Sequence, residues 1–376
     1  MNIFVQGLML KLDKNTFCRY HKGMKRLTYI SSFSQPLSAE EVTQIGDRSV
    51  TNNTRDGLTG VLFCFNNVFY QILEGPEDAL NRCYARILKD PRHKDIFCLE
   101  VENNIPQREF GDWAMKTVRL DESGDSLIRP IRTMLNSLAR THYVLERYSP
   151  HEVLGGLQKG ENPLQWHLKT SEKTILFSDI FSSSTFAENL PSDEFEKLLT
   201  IYYEIANRSI TENGGTISKL TGDGLMAYFG KNDTARALDA SIEICRRLDD
   251  IRAAAKEGET VKLLYAGIGL CHGVVREGNV GSNLKYDYTL LGDSVNSAAR
   301  LESVTRKVDA LVVFDESILT QIEAPSALRG LGLYQPKGKT EHLRIYSVNY
   351  PYTRRAMTTA QIKQAILALN PSRRAA

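Results

Sequence analysis

The stretch GGTISKLTGDGLMAYFG, residues 214–230, decides how the second half of this 376-residue chain folds. It reads as two short strands, 216–220 and 225–229, joined by the turn Thr221-Gly222-Asp223-Gly224. Glycines on both sides of Asp223 permit backbone angles that a side chain forbids, so the carboxylate is held at the tip of a rigid hairpin. Lys219 stands near the end of the incoming strand. Alone, the stretch reads equally well as an ordinary Asp-Gly hairpin with a solvated lysine. A second aspartate, Asp179 in TILFSDI, ends another apolar strand. Two acidic residues at strand ends, with phosphate-compatible groups downstream, point to a metal–nucleotide site.

Outward from the hairpin, the spacing predicts a strand over 173–179 and a helix over 193–213, opened by Pro191 and Ser192. A second helix, 235–254, carries Leu238, Ile242, Cys245, Leu248 and Ile251 on one face. Strands follow over 262–271 and 273–280, then 288–291 leading into a helix over 293–304. Late strands at 311–314, 331–335 and 343–348 complete a βαββαβ core elaborated at its end.

The first half has the same rhythm. A strand at 26–31 precedes Ser38-Ala-Glu-Glu41, a capping-box start for a helix running toward Asn53. Strands 59–65 and 68–73 meet at an Asn66-Asn67 turn. An amphipathic helix over 77–89 and strands at 96–102 and 113–120 give the order βαββαββ. The expected fold class is therefore α+β, with two ferredoxin-like domains joined by a helical connector.

That connector covers 121–171. Pro130 suits a first helical turn, and Ile131, Leu135, Leu138 and Leu145 form a seam completed by His142, with Met134 beside it. So few heptads point to packing against the first domain or a second copy rather than a free coiled coil. Pro150 and Gly155-Gly156 are expected to end the helix, and 162–170 to resume as extended chain. Residues 1–23 read as an extension and 351–376 as a tail with a helical piece at 361–369.

The composition, 42% hydrophobic and 24% charged, is that of an ordinary globular protein. A net charge of +2 gives no reason to expect nucleic acid or a membrane surface as partner. Short apolar pieces near the N-terminus are cut by Lys11, Asp13 and Lys14, so neither a signal peptide nor a membrane span is expected. Six cysteines (Cys18, Cys64, Cys83, Cys98, Cys245, Cys271) show no CxxC pair and read as reduced thiols of a cytoplasmic protein.

Four ordered motifs carry a resemblance in the first half: MKRLTYIS (24–31), VFYQILEG (68–75), DPRHKDI (90–96) and FGDWAMKT (110–117). Together they resemble a BLUF domain, a blue-light sensor that binds FAD, over 24–120. The resemblance implies that Tyr29 and Gln71 sit beside the flavin ring and that Asn53 holds its carbonyl edge. It further puts Asp90, Arg92 and His93 near the ring edge or tail, with Trp113 and Met115 at switching positions. A phenol can give an electron and a proton to an excited flavin, and a neighbouring amide can reorient because it carries a donor and an acceptor.

In the second half FSDI, SKLTGDG, GIGLCHGVVREGNVGS, DYTLLGDSVNSAARLE and PKGKTE resemble the class III nucleotidyl cyclase catalytic domain, here 172–350. The combined order resembles the bacterial photoactivated adenylyl cyclases. Mg²⁺ (or Mn²⁺) favours carboxylate and phosphate oxygens, so Asp179 and Asp223 can hold two metals per site. Asn296 and Arg300 are four apart on one helix face; the resemblance implies that they position the ribose and stabilise the α-phosphate, and that Lys337 binds the terminal phosphates. The family reads adenine with a lysine and an Asp, Thr or Ser, which fall on Lys219 and Thr289. A lysine can donate to adenine N1, whereas protonated guanine N1 needs an acceptor. The expected substrate is therefore ATP, and the resemblance implies sites shared between the copies of a homodimer. A nucleotide-binding but inactive cyclase-like half and a guanylyl cyclase are the alternatives. One departure from the family pattern is Ser183, where a Phe is frequent.

Overall fold

The computed structural model describes residues 23–65, 67–120, 128–282, 284–335 and 342–369. Lys337, Asn66 and the polar start of the connector lie outside the described residues. The chain divides into two compact units, Met1–Pro163 and Leu164–Ala376.

In the first unit the elements are β1 (Met24–Phe33), α1 (Ala39–Asp56), β2 (Thr59–Phe65), β3 (Val68–Pro76), α2 (Glu77–Ile87), β4 (His93–Asn103) and β5 (Lys116–Arg119). The strands lie in the order β4-β1-β3-β2-β5, all antiparallel pairs except β2 with β5. The capping box forms as expected: Glu41 accepts from the Ser38 backbone N–H at 2.7 Å, and Ser38 Oγ accepts from the Glu41 N–H. One sheet face packs Tyr29, Leu62, Phe69 and Leu73 against Val42, Leu80, Cys83 and Tyr84 of the two helices. The expected strand over 113–120 shrinks to four residues, leaving Trp113 and Met115 in the loop before it.

The connector contributes α3 (Ile128–Tyr148) and α4 (His151–Gln158). Leu135 joins Ile30, Phe65, Val68 and Phe97 on the other face of the sheet. His142 is buried on Phe97, ring centroids 4.1 Å apart, with Nε2 3.2 Å from the Asp95 carbonyl. Leu135, Leu138 and His142 of the seam therefore pack on the first unit, one of the two destinations the pattern allows, while Ile131 and Leu145 stay exposed. The seam helix ends at Tyr148, just before the stretch expected to end it, but a second helix follows at once and the glycine pair does not break it. Both glycines lie inside α4, where Gly156 is buried, and Leu157 packs on the sheet; tertiary packing overrides the roughly 1 kcal/mol propensity cost of each glycine. The extended segment expected from 162 is instead a short 3₁₀ turn, Pro163–Gln165, before the next strand begins at Lys169.

The second unit runs β6 (Lys169–Ile180), α5 (Ser183–Asn189), α6 (Ser192–Glu212), β7 (Thr216–Thr221), β8 (Gly224–Phe229), α7 (Thr234–Ala254), β9 (Ala266–Ser282), β10 (Lys285–Leu291), α8 (Asp293–Val304), β11 (Val312–Asp315), α9 (Glu316–Leu319), β12 (Leu328–Tyr334), β13 (Leu343–Val348) and α10 (Thr359–Leu369). Strand order is β12-β13-β11-β9-β6-β8-β7, with β10 paired to the far half of β9. Two expectations are corrected and one element is added. The two segments at 262–271 and 273–280 are one continuous strand starting at Ala266, because Gly273 is paired with Lys173 and does not interrupt the ladder. The short helix α5 forms in a stretch to which the sequence assigned no element. The tail helix α10 is part of the core, with Ile362 and Ile366 fully buried among residues such as Phe186 and Leu198.

Candidate functional site

In the first unit a cleft with an empty volume of about 820 Å³, mouth included, opens between the sheet and the two helices. Apolar walls from Ile45, Leu62, Phe69 and Ile87 carry a few convergent polar groups, the build of a site for a flat organic cofactor. Tyr29 on β1 pairs in register with Gln71 on β3, and its hydroxyl donates to Gln71 Oε1 at 2.5 Å. Gln71 Nε2 points in turn at Met115 Sδ, 3.4 Å away. Both Tyr29 and Gln71 are buried, and burial raises the tyrosine pKa well above its ordinary value, so it stays a neutral phenol.

Asn53, Asp90, Arg92 and His93 line the same cleft. Asn53 donates to the Ala114 carbonyl at 2.8 Å, fixing the residue before Met115. The Asp90 carboxyl is held down at about 2 by hydrogen bonds from Arg92, and burial pushes His93 down to about 4. His93 Nδ1 lies 2.8 Å from Ser31 Oγ. Trp113 is elsewhere: 39% exposed, it stacks on Phe110 with Lys116 over its ring. Sequence reasoning missed Glu74, a fully buried carboxylate paired with Arg26 that accepts from the backbone N–H groups of Glu109 and Phe110. It anchors the loop that delivers Met115. Its signal, an acidic residue in an apolar strand, was present in VFYQILEG.

In the second unit Asp179 ends the central strand β6, opposite Gly224 of β8 and Gly267 of β9. A side chain at 224 would meet the Ser178 carbonyl at 2.6 Å and Asp179 Oδ1 at 2.9 Å, so glycine there is what lets the hairpin close on the carboxylate. Gly222, at φ +75°, takes the first position of the two-residue turn that carries Asp223. Asp179 and Asp223 share a hydrogen bond. Burial first, then that bond, push Asp179 up to about 7; Asp223 is lowered despite its burial by hydrogen bonds from Ser183 and Asp179. Ser183, the departure from the family pattern, thus bonds the second aspartate.

Adjacent tyrosines on α6 brace the pair. Tyr202 donates to Ser178 Oγ at 2.8 Å, one residue before Asp179, and Tyr203 donates to the Gly222 carbonyl, one residue before Asp223. These were not legible, because the bonds join segments distant in sequence. Two carboxylates sharing a proton suit a divalent cation, and Mg²⁺ commonly uses one or two carboxylates completed by substrate phosphates. Among the described residues no group of three His, Cys, Asp or Glu forms a metal cage. Two further residues, unflagged by sequence, flank Asp179: Arg306 bonds both it and Glu302.

Lys219 Nζ donates to Thr289 Oγ1 at 3.3 Å, which brings the two base-reading candidates together across β7 and β10. Asn296 and Arg300 share a face of α8; Asn296 is exposed, and Arg300 Nη1 is buried with no hydrogen-bond partner among the described residues. An orphaned buried guanidinium nitrogen is costly, and an incoming anion would satisfy it.

Residues 24–116 match the family model described as sensors of blue light using FAD, BLUF, and residues 167–344 match the adenylate and guanylate cyclase catalytic domain. A solved structure of a bacterial light-regulated adenylyl cyclase superposes with a TM-score of 0.86 at 41% identity, covering 92% of this chain and 99% of that one. A photoactivated adenylate cyclase subunit beta from Euglena longa is 28% identical over 92% of this chain and 41% of its own length. The alpha subunit from Euglena gracilis is 26% identical, over 92% of this chain and 34% of its own length. The chain spans about two fifths of the length of such curated relatives. Fold and sites together define the class: a BLUF sensor unit followed by a nucleotidyl cyclase catalytic unit. The chain belongs to the family of bacterial light-regulated adenylyl cyclases.

Proposed function

We propose that the chain is a blue-light-regulated adenylyl cyclase that converts ATP to 3′,5′-cyclic AMP and pyrophosphate. The observation carrying the reading is the convergence of Asp179 and Asp223 from two strand ends, in the same unit as the Lys219–Thr289 pair. In the reaction the ribose 3′-oxygen forms a bond to the α-phosphorus while the bond from that phosphorus to the bridging oxygen breaks, releasing pyrophosphate. The 3′-hydroxyl proton leaves to solvent. Two divalent cations, when bound, supply Lewis acidity to the 3′-oxygen and the triphosphate. Asp179 and Asp223 hold them; Asn296 orients the ribose, Arg300 meets the charge developing on the α-phosphate, and Lys337 meets the terminal phosphates. Lys219 donates to adenine N1 with Thr289 beside it.

FAD supplies light absorption in the first unit, and the residues of that cleft fit it. The Tyr29 hydroxyl donates to Gln71, whose amide can reorient against Met115 because it carries both a donor and an acceptor. The loop held by Asn53 and Glu74 carries that change out of the cleft. The reading uses a homodimer, in which Asp179 and Asp223 of one copy face Lys219, Thr289, Asn296, Arg300 and Lys337 of the partner copy. Exposed Ile131, Met134, Leu145 and Tyr148 repeat along α3 beside the buried Leu135 and His142 and give a second copy an apolar stripe to meet. The domain limits are 24–120 for the sensor, 121–171 for the connector and 172–350 for the cyclase motifs, with the start of β6 at Lys169 and the tail helix α10 added to the cyclase unit.

The test is turnover of ATP and, separately, GTP by purified FAD-loaded chain with Mg²⁺, in darkness and under blue light. Cyclic AMP made faster in light, with little cyclic GMP, is expected. No product would favour a sensor with an inactive cyclase-like half, predominant cyclic GMP a guanylyl cyclase, and equal rates in light and darkness would remove the regulation.

A further inference from the structure

Arg306 stands just beyond the end of α8, and its guanidinium is divided between two carboxylates: Nη2 donates to Asp179 Oδ2 and Nη1 to Glu302 Oε1. The Glu302 side chain is only 9% exposed, those of Arg306 and Asp179 28% and 30%. The guanidinium carbon also lies 5.4 Å from the Phe181 ring. From the tail, Arg355 Nη1 donates to the Arg306 carbonyl at 3.3 Å and to Thr359 Oγ1 at 3.1 Å, which fixes the backbone from which Arg306 reaches. Gly267 leaves the room for this arrangement, since a side chain there would collide with Thr305 Oγ1 at 2.1 Å.

We propose that Arg306 is a positioning residue that holds Asp179 as a tethered counter-cation, which an entering divalent metal ion must displace. The inference rests on the two-carboxylate metal site proposed above. A fixed guanidinium and a metal ion compete for the same Asp179 oxygen, because each carboxylate oxygen has few lone pairs to offer. The guanidinium fork spans both carboxylates, so leaving Asp179 does not strip the buried Glu302 of its partner. Asp179 and Asp223 are thereby kept together before metal arrives, and stray metal ions are held off until a metal–nucleotide complex brings further ligands. This is a role in metal entry and is separate from phosphate binding.

The test is Mn²⁺ binding to the full FAD-loaded chain without nucleotide, in darkness, read by the electron paramagnetic resonance signal of free Mn²⁺. The double variant Arg306→Gln with Glu302→Gln removes the pair at constant net charge and is expected to bind Mn²⁺ roughly tenfold tighter, the size of one charge-assisted hydrogen bond. Arg306→Lys keeps the charge but cannot fork; it is expected to stay with the more buried Glu302 and show a smaller tightening, which covers the case of a double variant that does not fold. Unchanged or weaker Mn²⁺ binding in folded variants would overturn the proposal, whether accompanied by a lower melting temperature alone or by weaker nucleotide binding alone. Asp179→Asn separates the two levels. Loss of Mn²⁺ binding in Asp179→Asn together with no tightening in the Arg306 variants defeats only this inference, whereas Mn²⁺ binding unchanged in Asp179→Asn defeats the metal site itself.

Discussion

Among single residues, the strongest signals were side chains whose chemistry is local to a motif. Asp179, Asp223 and Lys219 stood out because each ends or nearly ends a strand beside glycine or polar turn residues, and the structure places the aspartates in contact. Arg306, Glu302, Tyr202 and Tyr203 did not stand out. Their partners are other segments, and an Arg four residues after a Glu on a helix end usually means a solvated pair. Two predictions belong here. Tyr29→Phe should retain flavin and lose the light-induced red shift of the absorption spectrum, since the 2.5 Å hydroxyl bond to Gln71 disappears; a normal shift would refute the role. The pKa of Asp179, raised from 3.8 to about 7, gives a sign for pH dependence. A proton and a metal compete for that carboxyl, so Mn²⁺ affinity should fall as pH drops below about 7, by up to tenfold per unit for one displaced proton. The metal-free native state holds the proton that the unfolded chain releases. Its stability should therefore decline as pH rises from 3.8 toward 7, as titration with thermal melts would show.

At the level of elements, periodicity found most helices and strands because each buries one face, as in α7 with Leu238, Cys245 and Leu248. It failed where packing from outside decided the outcome. The glycines of α4 are tolerated because that helix lies on the sensor sheet, and β9 runs through Gly273 because β6 pairs with it without a break from Ala266 to Glu277. The tail showed its helix but not its destination. Ile362 and Ile366 lie at 0% exposure in the cyclase core, so Ile366→Ala should cost about 2–5 kcal/mol. Chemical denaturation of the second unit would register it as a lowered midpoint; no change would mean that α10 is peripheral. In the proposed reading base choice is also an element-scale property, set where β7 and β10 bring Lys219 to Thr289. Lys219→Glu should cut ATP turnover by an order of magnitude or more, because a carboxylate cannot donate to adenine N1 and repels nearby phosphates. Unchanged kcat/KM for ATP would take Lys219 out of base recognition.

For the whole molecule, the order of the two units was legible from motifs alone and agrees with a relative covered over nearly its full length. The hairpin of residues 214–230 shows why one copy is insufficient in the proposed reading. Asp223 at its turn serves one site, while Lys219 on its incoming strand serves the other, so each copy gives half of itself to each site. Light then has a simple route to the chemistry: any shift of one cyclase unit against the other moves base and metals apart or together. The most direct measurement is complementation between two disabled chains. Asp223→Asn and Arg300→Ala, each nearly inactive alone, are mixed under conditions that exchange subunits, and cyclic AMP is measured from ATP under blue light and in darkness. With random pairing, half the dimers are mixed and each has one intact site, so light-dependent activity should return to about a quarter of wild type. A mixture no more active than its separate components, with exchange verified, would contradict the shared-site account.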